Sequence, residues 1–129
     1  MFSKAPLILM VFGLLFLSAC GTASSGTTPN INSGNATIRL GMGKFLDTSA
    51  TLKAGQSVTF DDSAGSVHNL VTGANGTFAQ EAGAPSQFTS SGIMFSAGQV
   101  TTIVFPTAGT YMITCTFHPN MEATITVTS

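Results

Sequence analysis

Every second residue is apolar in a series of short runs, and that period admits strands rather than helices. Ala123, Ile125 and Val127 alternate with Glu122, Thr124, Thr126 and Thr128, the pattern of a strand with one wet face. Tyr111, Ile113 and Cys115 share one face of the preceding run. Val58 and Phe60 share a face after the Gly55-Gln56 turn. Ala36–Leu40 alternates, His68–Thr72 is β-like, and the β-branched run Val100–Phe105 stops at Pro106. Short strands punctuated by Gly, Pro and Asn predict an all-β sandwich or barrel. Residues 73–98 are the least regular part, with turn signals at Ala74-Asn75-Gly76 and Gly83-Ala84-Pro85. A short helix or an extra edge strand fits there. Pro106-Thr107-Ala108-Gly109-Thr110-Tyr111 predicts a tyrosine corner, with an ordinary turn before a core tyrosine as the alternative. Tyr111 is structural in either case. Met42, Met94 and Met112 read as core filler.

The first 35 residues obey a different rule. Met1-Phe2-Ser3-Lys4 carries one positive charge, Leu7–Leu17 is apolar, and Leu17-Ser18-Ala19-Cys20 follows. This is the layout of a secretory signal over residues 1–19. A transmembrane helix is the weaker reading, because the apolar run falls short of the roughly 20 residues a span needs. The ending before Cys20 resembles the bacterial lipobox, which implies cleavage there and a lipidated Cys20 at the cell membrane. Several acyl chains hold a protein firmly where one is marginal. Residues 20–35 hold one sizeable apolar side chain, Ile31, and no charge, so they read as a flexible tether. Its reach is on the order of 20 Å. The folded domain is expected over residues 36–129, outside the cytoplasm.

Beyond the leader, Arg39, Lys44 and Lys53 stand against Asp47, Asp61, Asp62, Glu81 and Glu122 without clustering. No basic patch offers itself to nucleic acid. If Cys20 is lipidated, Cys115 has no disulfide partner within the chain, and a lone thiol in an oxidising compartment must be buried or occupied. A Cys20–Cys115 disulfide is the alternative.

Chemistry concentrates in Cys115-Thr116-Phe117-His118-Pro119-Asn120-Met121. Cys115 ends a predicted strand, His118 lies three residues on, and Met121 three further. Pro119 stiffens the turn by fixing φ. His68, the only other histidine, opens a separate strand. Taken singly, each residue has a bland role: a surface histidine, a small buried thiol, a core methionine. Together, two imidazoles, a thiolate and a thioether form the donor set of a blue-copper electron-transfer site. Soft sulfur suits Cu(I), imidazole suits Cu(II), and a trigonal His₂Cys arrangement with a weak axial thioether serves both. A structural zinc site needs four strong ligands, and methionine is a poor fourth. A thiol hydrolase would need an oxyanion loop and a group orienting the base, and neither is recognisable. The chain therefore reads as no enzyme.

These residues resemble the plastocyanin/amicyanin branch of the cupredoxins. The likeness runs from about Phe45 to Val127. It takes in Leu52–Phe60, His68-Asn69-Leu70, Ser91-Gly92-Ile93, Ala97-Gly98-Gln99, Phe105, Gly109-Thr110-Tyr111 and Cys115-x-x-His118-Pro119-x-Met121. The last spacing is that of the short amicyanin loop. The resemblance implies a Greek-key β-sandwich with His68, Cys115 and His118 as equatorial copper ligands and Met121 as the axial one. It implies that Asn69 ties the His68 strand to the ligand loop and places a hydrogen bond near the Cys115 sulfur, where such bonds tune potential. It makes His118, beside Pro119, the edge where electrons enter and leave. Phe117 stands where such loops often have proline, Ala123 where they usually have glycine, and Asp61-Asp62 replaces a neutral turn. A short loop also implies that His118 can take a proton and leave Cu(I) at mildly acid pH.

The expected function is a membrane-tethered one-electron carrier, monomeric, exchanging electrons with redox proteins at the membrane. The alternatives are a copper-binding protein for delivery or tolerance and a metal-free adhesive sandwich. Surplus histidines that would favour delivery are absent.

Overall fold

A computed structural model describes residues 35–129. The leader at 1–19, Cys20 and the tether up to residue 34 lie outside the described residues. Ten strands run through the rest: β1 (Asn35–Gly41), β2 (Lys44–Phe45), β3 (Ser49–Lys53), β4 (Ser57–Asp61), β5 (His68–Ala74), β6 (Thr77–Phe78), β7 (Ile93–Phe95), β8 (Val100–Val104), β9 (Gly109–Cys115) and β10 (Glu122–Thr128). There is no helix among the described residues.

The strands form two sheets. One has the order β2-β1-β4-β8. The other has the order β3-β10-β9-β5-β6, and β7 also pairs with β5. β1 with β4 and β10 with β3 are parallel pairs, so the chain crosses between sheets rather than meandering within one. This is an all-β Greek-key sandwich. It closes around side chains that the period-two pattern directs inward: Ile38, Leu40, Val58, Phe60, Ile103, Tyr111, Ile113 and Ile125 are all buried. Each such side chain removed from water contributes roughly 1.5–3 kcal/mol.

Residues 73–98 hold two short strands and a series of turns. Their regular element is a packing anchor. Phe88 is buried and meets the Phe60 ring edge-on, with centroids 6.4 Å apart. Phe60 in turn meets Phe95 at 6.3 Å, and Phe105 meets Tyr111 at 5.6 Å. The two edge-to-face pairs on Phe60 add about 0.5–1.5 kcal/mol each beyond burial. The Tyr111 hydroxyl donates to the carbonyls of Thr107 at 2.8 Å and Gly83 at 3.1 Å. The tyrosine corner is therefore present, and it also clasps the irregular segment.

The three methionines expected in the core are outside it. Met42 is 82% exposed at the tip of the β1–β2 turn. Met94 alternates with buried Phe95 and points outward. Met112 alternates with Tyr111 and Ile113 and lies half-buried on the outer face, where the Thr124 hydroxyl donates to its sulfur at 3.8 Å. In a sandwich, position within the strand decides burial, and hydrophobic character alone does not.

Candidate metal centre

β5 and β9 are antiparallel, with Leu70 opposite Cys115. The first residue of β5 and the last of β9 therefore lie at the same end of the sandwich. This register brings His68 to Cys115 across 47 positions of sequence. The remaining residues come from the loop closing β9 onto β10. Two consecutive turns build it: the His118 N–H donates to the Cys115 carbonyl at 3.2 Å, and the Met121 N–H to the His118 carbonyl at 2.8 Å. Pro119 occupies the second position of the latter turn, where its fixed φ is favoured. The Cys115 N–H donates to the Met121 carbonyl at 3.1 Å and closes the loop.

The donor atoms converge. One ligand atom each from His68, Cys115 and His118 lies within 4.8 Å of the others. His118 Nδ1 is 3.6 Å from the Cys115 sulfur and His68 Nδ1 is 3.9 Å from it. Both imidazoles thus turn the same nitrogen to the thiol. Met121 is fully buried at the end of the loop. Two imidazole nitrogens around one sulfur, with a thioether on the same short loop, fit copper by hardness, since this mixed set suits both of its oxidation states.

Asn69 secures the neighbourhood of the sulfur. Its N–H donates to the Cys115 sulfur at 3.5 Å. Its side-chain amide donates to the Thr116 hydroxyl at 3.1 Å and the Ser91 carbonyl at 3.2 Å. The Thr116 N–H returns a bond to the Asn69 carbonyl at 2.9 Å. Gly92 makes room for this: with φ +74, it faces the Asn69 side chain so closely that a Cβ would lie 2.6 Å from Cγ.

Exposure is uneven. His68, Cys115 and Met121 are fully buried, whereas His118 is half-buried and Pro119 is exposed. Gly43, with φ +70, lets the β1–β2 turn approach the His118 ring, and Gly76 lets the β5–β6 turn lie against Pro119. Phe117 and Met42 are exposed near this rim in sequence. Burial pushes the His68 imidazole below its ordinary value; Asp62 opposes that shift and His118 adds to it. A neutral imidazole is the form that ligates metal.

Sequence reasoning noted Asp62 only as a departure in a turn, and gave no role at the site to Asp62, Thr116 or Gly43. Asp62 is fully buried, with a carboxylate oxygen 3.8 Å from His68 Nε2. Its only sequence signal is a second acid in a turn, and no periodicity marks it.

Residues 33–128 match the sequence profile of a family described as copper binding proteins, plastocyanin/azurin family. Among solved structures, the fold is similar to amicyanin from Paracoccus versutus (Thiobacillus versutus), at 23% identity and a TM-score of 0.54, covering 76% of this chain and 85% of that one. A reduced amicyanin mutant matches at 24% identity and a TM-score of 0.55, covering 76% and 86%. An amicyanin mutant in its Cu(I) state matches at 23% and 0.56, with the same coverage. At such identities the likeness speaks to the fold.

Proposed function

Since the chain belongs to the plastocyanin/azurin family of copper-binding proteins, we propose that it carries single electrons outside a bacterial cytoplasmic membrane, held there by a lipidated Cys20. Its cofactor is one type 1 copper, which when bound supplies the Cu(I)/Cu(II) couple. His68, Cys115, His118 and Met121 are the residues that would hold it. The observation that carries this reading is the convergence of both Nδ1 atoms on one buried sulfur.

The protein's own contribution is rigidity. The Asn69 clamp, the double turn and the Pro119 φ fix the donor atoms before an electron arrives, so little rearranges when it does. Half-buried His118 is the edge through which electrons pass, beside exposed Pro119. The partners are redox proteins at the membrane, the carrier is a monomer, and it performs no catalysis. A delivery protein would offer its metal through an open site; here the sulfur donors are fully buried.

The test is a visible spectrum of the full chain before and after Cu(II) is added. An intense thiolate-to-copper band that ascorbate bleaches is expected. Copper uptake without that band would shift the function to delivery or storage, and no uptake would remove the metal reading. The tether is tested separately: Cys20→Ser is expected to leave the membrane fraction while keeping the band.

A further inference from the structure

The Asp62 carboxylate is fully buried, and neither of its oxygens has a hydrogen-bond partner among the described residues. A buried carboxylate in that condition is costly unless it has a task. The group opposite it is His68 Nε2, equally buried and equally unpartnered, 3.8 Å from Oδ1. The two orphans face each other. Closing that gap to the roughly 2.9 Å of a hydrogen bond takes about 1 Å.

The backbone aims Asp62 at this spot. Its N–H donates to the Gln99 carbonyl at 2.9 Å, and its carbonyl accepts from Gly98 at 2.8 Å. The residue is thus stitched to the turn between β7 and β8. His68 sits at the start of β5, opposite Phe95 of β7. Both partners are tied to the same short strand and its following turn, so their relative position is held by backbone bonds.

We propose that Asp62 is the positioning residue for the buried histidine: its carboxylate accepts the Nε2–H of His68 while Nδ1 faces the metal. This rests on His68 being a copper ligand. A ligating imidazole with Nδ1 on the metal must carry its proton on Nε2, and that proton needs an acceptor. The carboxylate fixes the tautomer, sets the ring plane and makes Nδ1 a stronger donor. Among the described residues no carboxylate pairs with His118, which is half-buried. The backbone of Gly41 also faces the His68 ring and is the competing acceptor.

The test follows the His68 Nε2–H by nitrogen-edited NMR in the Cu(I)-loaded full chain, with Asp62→Asn and Asp62→Leu beside the wild type. Asp62→Asn keeps the shape and an acceptor oxygen, so the proton is expected to persist but move upfield. Asp62→Leu removes the acceptor, so the proton is expected to exchange with water at least tenfold faster, with copper lost to a chelator about 10–100 times faster. An Nε2–H unmoved in Asp62→Asn overturns the proposal even if Asp62→Leu does not fold, and assigns the proton to Gly41. The thiolate-to-copper band of the Cu(II) form separates the two readings. A wild type lacking the band faults the ligand assignment itself, whereas a band with an unchanged proton faults only the role of Asp62.

Discussion

The N–H of Asn69 reaches the sulfur of Cys115 at 3.5 Å, across the junction between β5 and the ligand loop. The bond comes from the backbone, so a side-chain substitution does not delete it. It loosens the frame that aims it. Asn69→Ala removes the bonds to Thr116 and Ser91. It is expected to destabilise the protein by about 1–3 kcal/mol and to shift the copper potential. Gly92→Ala should reproduce both effects without touching Asn69, because its Cβ would drive the Asn69 side chain aside. Denaturant titration and voltammetry check this, and wild-type values in Gly92→Ala would contradict it.

Cys115→Ser tests the ligand directly. The side chain is fully buried and close in size to serine, so the sandwich is expected to fold. The thiolate band should vanish and copper affinity should drop by at least tenfold. A surviving band would mean that another sulfur binds the metal.

Tyr111→Phe isolates the corner from the metal. The ring stays packed on Phe105. The part-buried bonds to the Thr107 and Gly83 carbonyls are lost, at a cost of about 0.5–1.5 kcal/mol. Thermal unfolding should shift downward with the visible spectrum unchanged. An altered spectrum would couple the corner to the site, which the distance between the two ends of β9 argues against.

The metal-free protein should weaken in mild acid. Burial holds the His68 imidazole below its ordinary value of 6.5 in the folded state. Between the folded and unfolded values the unfolded chain binds more protons, so stability rises with pH in that window. The contribution is complete above about pH 6.5 and is lost as pH falls below it. Asp47, held below its ordinary value chiefly by a hydrogen bond from Arg39, acts with the same sign in a more acid range. Urea midpoints from about pH 8 to pH 5 should decline for the metal-free wild type and flatten in His68→Gln. A level wild-type profile would contradict the burial argument.

Much of the fold could be read from alternation, because a sandwich buries one face of each strand and leaves the other wet. β3, β4 and β10 follow that rule residue by residue. The methionines misled because thioethers sit equally well inside or at a rim, and only their register decides. Residues 73–98 have no period because Phe88 and the bond from Tyr111 to the Gly83 carbonyl organise them from a distance. The convergence of His68, Cys115 and His118 was legible as residue types and spacing. Asp62 was not, because its relation to His68 depends on how the chain folds back between β7 and β8, which no local pattern encodes.

Three of the four proposed donors are sealed, and one histidine edge meets solvent. A centre with a single doorway can serve only one client at a time. Donor and acceptor must take turns at the same small face, each departing before the next arrives. Tight docking would then slow turnover, and the useful complex is a brief one. For a carrier of the kind proposed, throughput becomes a matter of how quickly it lets go.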